Sequence, residues 1–194
     1  FKSSYCRRQR VVKLYSQRMD SFTISRIPEL HYGKNTLYSL PQILQGRSLT
    51  SILLVTGKTI RKTEVWNRFI SYLTSEGIKI VDRVVSGEPS PEIVDALADT
   101  LRTFDAQGVV ALGGGSVIDA GKAAAAAAKI EGSIIDYLEG VGEKKPSGQS
   151  LFFAAMPTTA GTGSEATKNA VLSKVGVGGF KKSLRHDNYI PDAA

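Results

Sequence analysis

Between Val109 and Lys122 the chain passes from a short apolar run through three glycines and a serine into an alanine-rich, helix-forming segment. That order suits a strand running straight into a helix. Glycines without a Cβ let the backbone turn sharply and lie close against a bulky anion, and the following helix aims its free N–H groups and positive dipole end at the same spot. The stretch therefore reads as a phosphate seat. The usual dinucleotide fingerprint would need a third glycine at position 118, where this chain has Ile118, so the fingerprint is broken. Taken alone, the loop also admits a plain strand-to-helix turn without a ligand.

The flanking segments extend the pattern. Residues 51–56 form a continuous apolar run of the kind found in buried parallel strands. A turn at Gly57, Lys58 and Thr59 follows, and Val65, Phe69, Ile70 and Leu73 mark one face of a helix that Gly77 can end. Residues 78–81 restart a strand. Ser90 and Pro91 then give a helix start, a capping serine ahead of a proline at the first helical position, with Ile93, Val94, Leu97, Leu101 and Phe104 as the buried stripe. After the alanine helix, residues 131–150 read as a mobile surface loop, 151–156 as a further strand, and 157–165 as a loop of small and hydroxyl residues. Residues 169–173 and 179–184 read as a pair of strands around a glycine-rich turn. Upstream, 22–27 and Leu30–Tyr32 are expected to pair as an edge β-hairpin interrupted by Pro28, followed by a short amphipathic helix through Leu37, Leu40, Ile43 and Leu44. Strands alternating with helices give the expected class: an α/β, Rossmann-like parallel sheet with helices on both faces. Ligands of such sheets bind beyond the carboxyl ends of the strands, where the loops at Gly57–Thr59 and Gly113–Ser116 fall together.

With 194 residues and 42% hydrophobic content, the chain suits one well-cored domain, placed at 20–194. The formal charge of +7 sits at one end. Residues 1–18 hold Lys2, Arg7, Arg8, Arg10, Lys13 and Arg18 with no carboxylate, and the rest carries 19 basic against 18 acidic groups. A near-neutral body argues against a nucleic-acid partner. Residues 1–19 read as a basic leader outside the fold, either added or read-through sequence ahead of a start at Met19, or an organellar targeting peptide. The single Cys6 excludes a disulfide framework and a Cys-based metal site within one chain. No apolar run is long enough to cross a bilayer, so a soluble, cytoplasmic protein is expected.

Taken together, residues 113–122 (Gly-Gly-Gly-Ser-Val-Ile-Asp-Ala-Gly-Lys) and 157–165 (Pro-Thr-Thr-Ala-Gly-Thr-Gly-Ser-Glu) closely resemble the two signatures of the iron-containing (group III) alcohol dehydrogenase family. The match in order, spacing and flanking strands runs from about Phe22 to Ala194. The resemblance implies a dinucleotide-binding domain like the N-terminal domain of dehydroquinate synthase, followed in the family by a helical domain that holds the catalytic metal. By family pattern Gly114, Gly115 and Ser116 would cradle the pyrophosphate, and Asp119 would lie beside the nicotinamide half. Thr158, Thr159 and Thr162 would contact the cofactor near the adenine and ribose, and Lys181 would reach the nicotinamide ribose. As plain structure, Asp119 is a first-turn carboxylate favoured by the helix dipole, and Lys181 an exposed strand lysine.

Two departures bear on the cofactor. NAD-using members often carry Asp just after the first core strand, where this chain has Gly57 followed by Lys58 and Thr59; a carboxylate repels a 2′-phosphate and an ammonium accepts one, so NADP is favoured over NAD. Where members commonly have Pro-Asn-Pro, this chain has Pro89, Ser90 and Pro91, so a contact through Ser90 is shortened or lost. Family members bind iron, zinc or a similar ion through one Asp and three His. Here only His31 and His186 occur, outside any metal-site spacing. No catalytic or metal residue is therefore assigned to this chain. The resemblance implies reversible hydride transfer between an alcohol or aldehyde and a nicotinamide in a full-length enzyme, with this segment alone inactive and a homodimer left open. A glycerol dehydrogenase-like relative and a non-catalytic nucleotide-binding module are the alternatives.

Overall fold

The computed structural model describes residues 26–194. The expectations for residues 1–19, and for the first arm of the hairpin at 22–25, lie outside them.

Four strands form one parallel sheet: β1 (Ser51–Thr56), β2 (Lys79–Val84), β3 (Gly108–Gly113) and β4 (Phe152–Pro157), in the order β2-β1-β3-β4. β1 and β3 lie inside the sheet and every residue of both is buried, which is why their sequences are apolar without alternation. β2 is an edge strand and half-exposed. Alternate residues of each strand face opposite layers. Ile52, Leu54, Val110 and Leu112 pack with Leu40 and Leu44 of α1 (Leu40–Gln45) and with Trp66, Phe69 and Leu73 of α2 (Glu64–Ser75). Leu53, Val55, Val109 and Ala111 pack with Leu97 and Leu101 of α3 (Pro91–Phe104) and with Ile118, Ala120 and Ala124 of α4 (Gly115–Ala127). Helices thus cover both faces, as the sequence implies.

Helix stripes differ in detail from expectation. The α2 seam runs through Trp66, Phe69 and Leu73, while Val65 is exposed, because residues at i, i+3 and i+7 share a face and the residue before them is turned about 100° away. Phe104, at the last turn of α3, is likewise exposed, and Ala98 takes the buried place.

α4 is buried nearly all round, with ten residues inaccessible, the signature of a core helix. Ala120, Ala124 and Ala125 face the sheet, while Ala123, Ala126 and Ala127 face a third cluster built with α3 and the antiparallel pair β5 (Asn169–Lys174) and β6 (Phe180–Arg185). A methyl group on each side keeps both neighbours near. Residues 131–150 are more anchored than the predicted mobile loop. Asp95 of α3 accepts hydrogen bonds from the Ser133 hydroxyl and the Ile134 amide, and Ile134 and Leu138 are buried.

Only residues 26–32 of the predicted edge hairpin are described, since most of its first arm lies outside them. The arm at 30–32 does not return on residues 26–27; instead Glu29 N donates to Asp192 O (3.1 Å), His31 N to Ala194 O (2.7 Å), and Ala194 N to Glu29 O (3.0 Å). Ala193 in turn bridges Ala154 of β4, in parallel sense. Two short parallel segments from opposite ends of the chain extend the β4 edge, and a local-pairing rule cannot anticipate a partner some 160 residues away.

Candidate nucleotide site

The carboxyl ends of β1, β3 and β4 emerge side by side, and each is followed by a loop that the sequence singles out. Gly57 lies against the first turn of α4, where an added Cβ would stand 3.7 Å from Val117 Cγ2. Thr158 N donates to Gly113 O at 2.9 Å and ties the threonine loop to the glycine loop. A Cβ on Gly114 would meet Thr159 Oγ1 at 3.4 Å, and one on Gly115 would meet Thr162 Cγ2 at 2.9 Å. Gly114, Gly115, Thr158, Thr159 and Thr162 therefore form one continuous shelf, with Gly57 at its margin. Gly114 caps α4 with no side-chain hydrogen bond. Val117 N donates to Gly114 O at 3.0 Å, while the N–H groups of Gly115 and Ser116 have no backbone acceptor among the described residues and remain able to meet an anion.

The packing task of the missing third glycine falls to Gly121. A Cβ there would stand 2.9 Å from Ala111 Cβ and 3.0 Å from Phe153 Cε2, so its absence lets α4 lie against β3 and β4. Ile118 costs the turn nothing, since close approach is needed one turn later.

Charged groups gather along α4. Asp119 is half-buried, and burial raises its carboxyl above the ordinary range, partly offset by Lys122, the Val171 amide, the Ser164 hydroxyl and Lys181. Lys122 is 2% exposed. Its ammonium donates to three backbone carbonyls, Thr167 O at 2.6 Å, Ser164 O at 2.7 Å and Asn169 O at 3.0 Å. Desolvation lowers its pKa to about 8 against the pull of Asp119 and Glu165. Sequence reading gave Lys122 no role. Its context nonetheless carried a signal: a lysine set among Ile118, Gly121 and six alanines has no polar face to occupy, and a buried charge demands partners.

The remaining predicted residues stand further out. Lys181 on β6 is exposed and pairs with Glu88, which also accepts from Ser173 Oγ; the lysine first, then the serine, holds the Glu88 carboxyl below its ordinary range. Ser90 caps α3, its Oγ accepting from Ile93 N at 3.4 Å. Lys58 and Thr59 are exposed beyond Gly57, and among the described residues no ion pair engages Lys58. Arg61 is instead taken up by Asp82 and by the face of Trp66. A concavity along the outer edge, lined by Arg61, Trp66, Ile70, Ile80 and Asp82, shares no residue with the glycine or threonine loops. The convergence of strand ends, glycines and a helix start without a side-chain cap points to the shelf instead. Among the described residues no group of three or more His, Cys, Asp or Glu side chains is placed to hold a metal, and none of their helices is long and apolar enough to cross a membrane.

Fold and shelf together define a doubly wound α/β domain whose glycine and threonine loops meet beyond the carboxyl ends of the strands. The chain belongs to the iron-containing alcohol dehydrogenases, whose family profile matches residues 28–194. A choline dehydrogenase of Bacillus subtilis (strain 168) is 32% identical over 157 residues, 80% of this chain and 39% of that protein. An NADPH-dependent butanol dehydrogenase of Clostridium saccharobutylicum is 28% identical over 179 residues, 91% and 44% of the two chains. The crystal structure of sulfoacetaldehyde reductase from Bifidobacterium kashiwanohense in complex with NAD+ matches with a TM-score of 0.79 at 30% identity, covering 90% of this chain and 46% of that one. The chain spans less than half the length of each.

Proposed function

We propose that this chain is the nucleotide-binding portion of a metal-dependent alcohol dehydrogenase, and that it seats a nicotinamide dinucleotide on the shelf between Gly57, the glycine loop and the threonine loop. The observation that carries the reading is the meeting of Gly114 and Gly115 with Thr159 and Thr162 beside the uncapped N-terminus of α4. Side chains at either glycine would fill the space that a pyrophosphate takes, and the free amides offset its charge. Thr158, Thr159 and Thr162 offer hydroxyls to ribose or phosphate oxygens. Asp119 and Lys181 lie towards the β5–β6 side, which suits the nicotinamide half. Ser90 is committed to capping α3, so its contribution to the cofactor is slight.

NADP is the preferred form. No carboxylate follows β1, and the exposed ammonium of Lys58 stands next to Gly57 to meet a 2′-phosphate. In the whole enzyme the nicotinamide exchanges a hydride with a small alcohol or aldehyde whose oxygen a divalent metal, iron or zinc, polarises. In this reading the part of the described residues is to bind and orient the cofactor. Such a chain holds nucleotide without turning over alcohol.

Fluorescence titration of the chain with NADPH and NADH tests the assignment. NADPH should bind more tightly; a preference of about tenfold or more for NADH overturns the argument from Gly57 and Lys58. Gly115→Val should abolish binding of both nucleotides, and unchanged affinity would mean that the seat is elsewhere.

A further inference from the structure

The threonine loop has little to hold it in place by itself. Residues Thr158 to Thr162 are exposed, and Gly161 and Gly163 have φ of 117° and 66°, so the backbone curls without apolar anchorage. One end is fixed by the Thr158 N to Gly113 O bond. The other end leads into residues 164–169, whose carbonyls at 164, 167 and 169 are the three acceptors of Lys122 Nζ. Three N–H donors meet three carbonyls from inside the core, and among the described residues no other charged side chain is buried. Hydrogen bonds from an ionised donor are shorter and stronger than neutral ones.

We propose that Lys122 is a positioning residue, fixing the height of the Thr158–Thr162 loop over the Gly113–Gly115 turn and so setting nucleotide affinity. The inference rests on the nucleotide reading above. Lys122 reaches the loop from the third turn of α4, seven residues beyond Gly115, so helix, glycine turn and threonine loop become one rigid unit around the shelf. The charged groups facing it are Asp119 on α4 and Glu165 on the loop segment, with Lys181 of β6 acting on Asp119 in turn. Its pKa of about 8 puts the clamp within reach of mild base. A neutral amine has two N–H groups for three carbonyls, so one carbonyl is released and the charge beside Asp119 and Glu165 is lost.

The test measures NADPH affinity of the 194-residue chain by calorimetry from pH 7 to 9, for wild type, Lys122→Met, Gly115→Val and Phe69→Leu. Phe69 is buried on the opposite face of the sheet and controls for lost stability without loop contact. Wild type should weaken several-fold across that range, and Lys122→Met should bind about tenfold more weakly at pH 7 with a flat pH profile. Phe69→Leu should keep wild-type affinity and profile. If wild type binds and Gly115→Val does not, while Lys122→Met matches wild type in both respects, the role of Lys122 falls and the nucleotide site stands. Should wild type bind neither NADPH nor NADH at millimolar concentration, both fall. If Lys122→Met fails to fold, the wild-type series decides, and a level affinity from pH 7 to 9 overturns the proposal.

Discussion

Gly115→Ala is the smallest change that probes the shelf. The new methyl would stand 2.9 Å from Thr162 Cγ2 and 3.1 Å from Thr162 Cβ, where unstrained carbons sit about 3.5–4.0 Å apart. Either Thr162 or the helix start must yield by roughly 0.5–1 Å. Neither is free to do so cheaply, because the loop is tied to Gly113 O through Thr158 N and to Lys122 at its far end. Overpacking of this kind costs about 1–3 kcal/mol, against a helix-propensity gain of at most about 1 kcal/mol for Gly to Ala. A net loss of about 1–2 kcal/mol is expected, together with roughly tenfold weaker nucleotide binding as the hydroxyls lift away. Thr162→Ala removes the nearest atom, Cγ2, so the double variant should recover about 1 kcal/mol relative to the sum of the single changes. Urea denaturation midpoints for the four chains of this cycle give the coupling, and a nucleotide titration gives the affinity. A Gly115→Ala chain as stable as wild type, with effects that simply add to those of Thr162→Ala, refutes the claim that the two loops interlock.

Other expectations follow from single groups. Ser90→Ala removes the cap of α3 and should cost about 1 kcal/mol in urea, with nucleotide affinity nearly unchanged; a large affinity loss would show that Ser90 contacts the cofactor. Lys122 gives a stability test with a defined sign. Its folded pKa of about 8 lies below the ordinary 10.5, so the folded chain releases the proton first. Below about pH 8 the burial cost is present in full. Between about 8 and 10.5 the unfolded chain still holds the proton, and the group's contribution rises with pH by about 3 kcal/mol. The stability of wild type relative to Lys122→Met should therefore increase from pH 7.5 to 10; a level or falling difference refutes the burial argument. Global stability and loop positioning then move in opposite directions with pH, as they do when a strained group serves a site.

Much of the architecture was legible because it is written in local patterns. Continuous apolar runs marked β1, β3 and β4, Ser90 and Pro91 marked the start of α3, and the glycines marked the turn into α4. The order of the strands was not legible, since no local signal says that β1 lies between β2 and β3. The bridges from residues 29–31 to 192–194 escaped for the same reason. Within the site, the glycine loop could be named from its residue types and the threonine loop through the family resemblance, and the geometry brings five of the named positions onto one shelf. Gly121 and Lys122 were missed although they stand in the same motif. Gly121 acts through the room it leaves against Ala111 and Phe153, and Lys122 through carbonyl groups that every residue type possesses, so no side-chain pattern announces either partner.

The alanine tract of α4 deserves a different reputation from the one its composition suggests. Methyl side chains are usually taken as placeholders that tolerate exchange. Here Ala124 and Ala125 touch the sheet while Ala123, Ala126 and Ala127 touch the opposite layer, so any enlargement wedges two layers apart at once and tilts the helix tip that faces the shelf. The plainest run of letters in the chain is thus tightly constrained, and for folding stability, as distinct from nucleotide binding, variation should be tolerated more readily at the exposed threonines than at these buried neighbours.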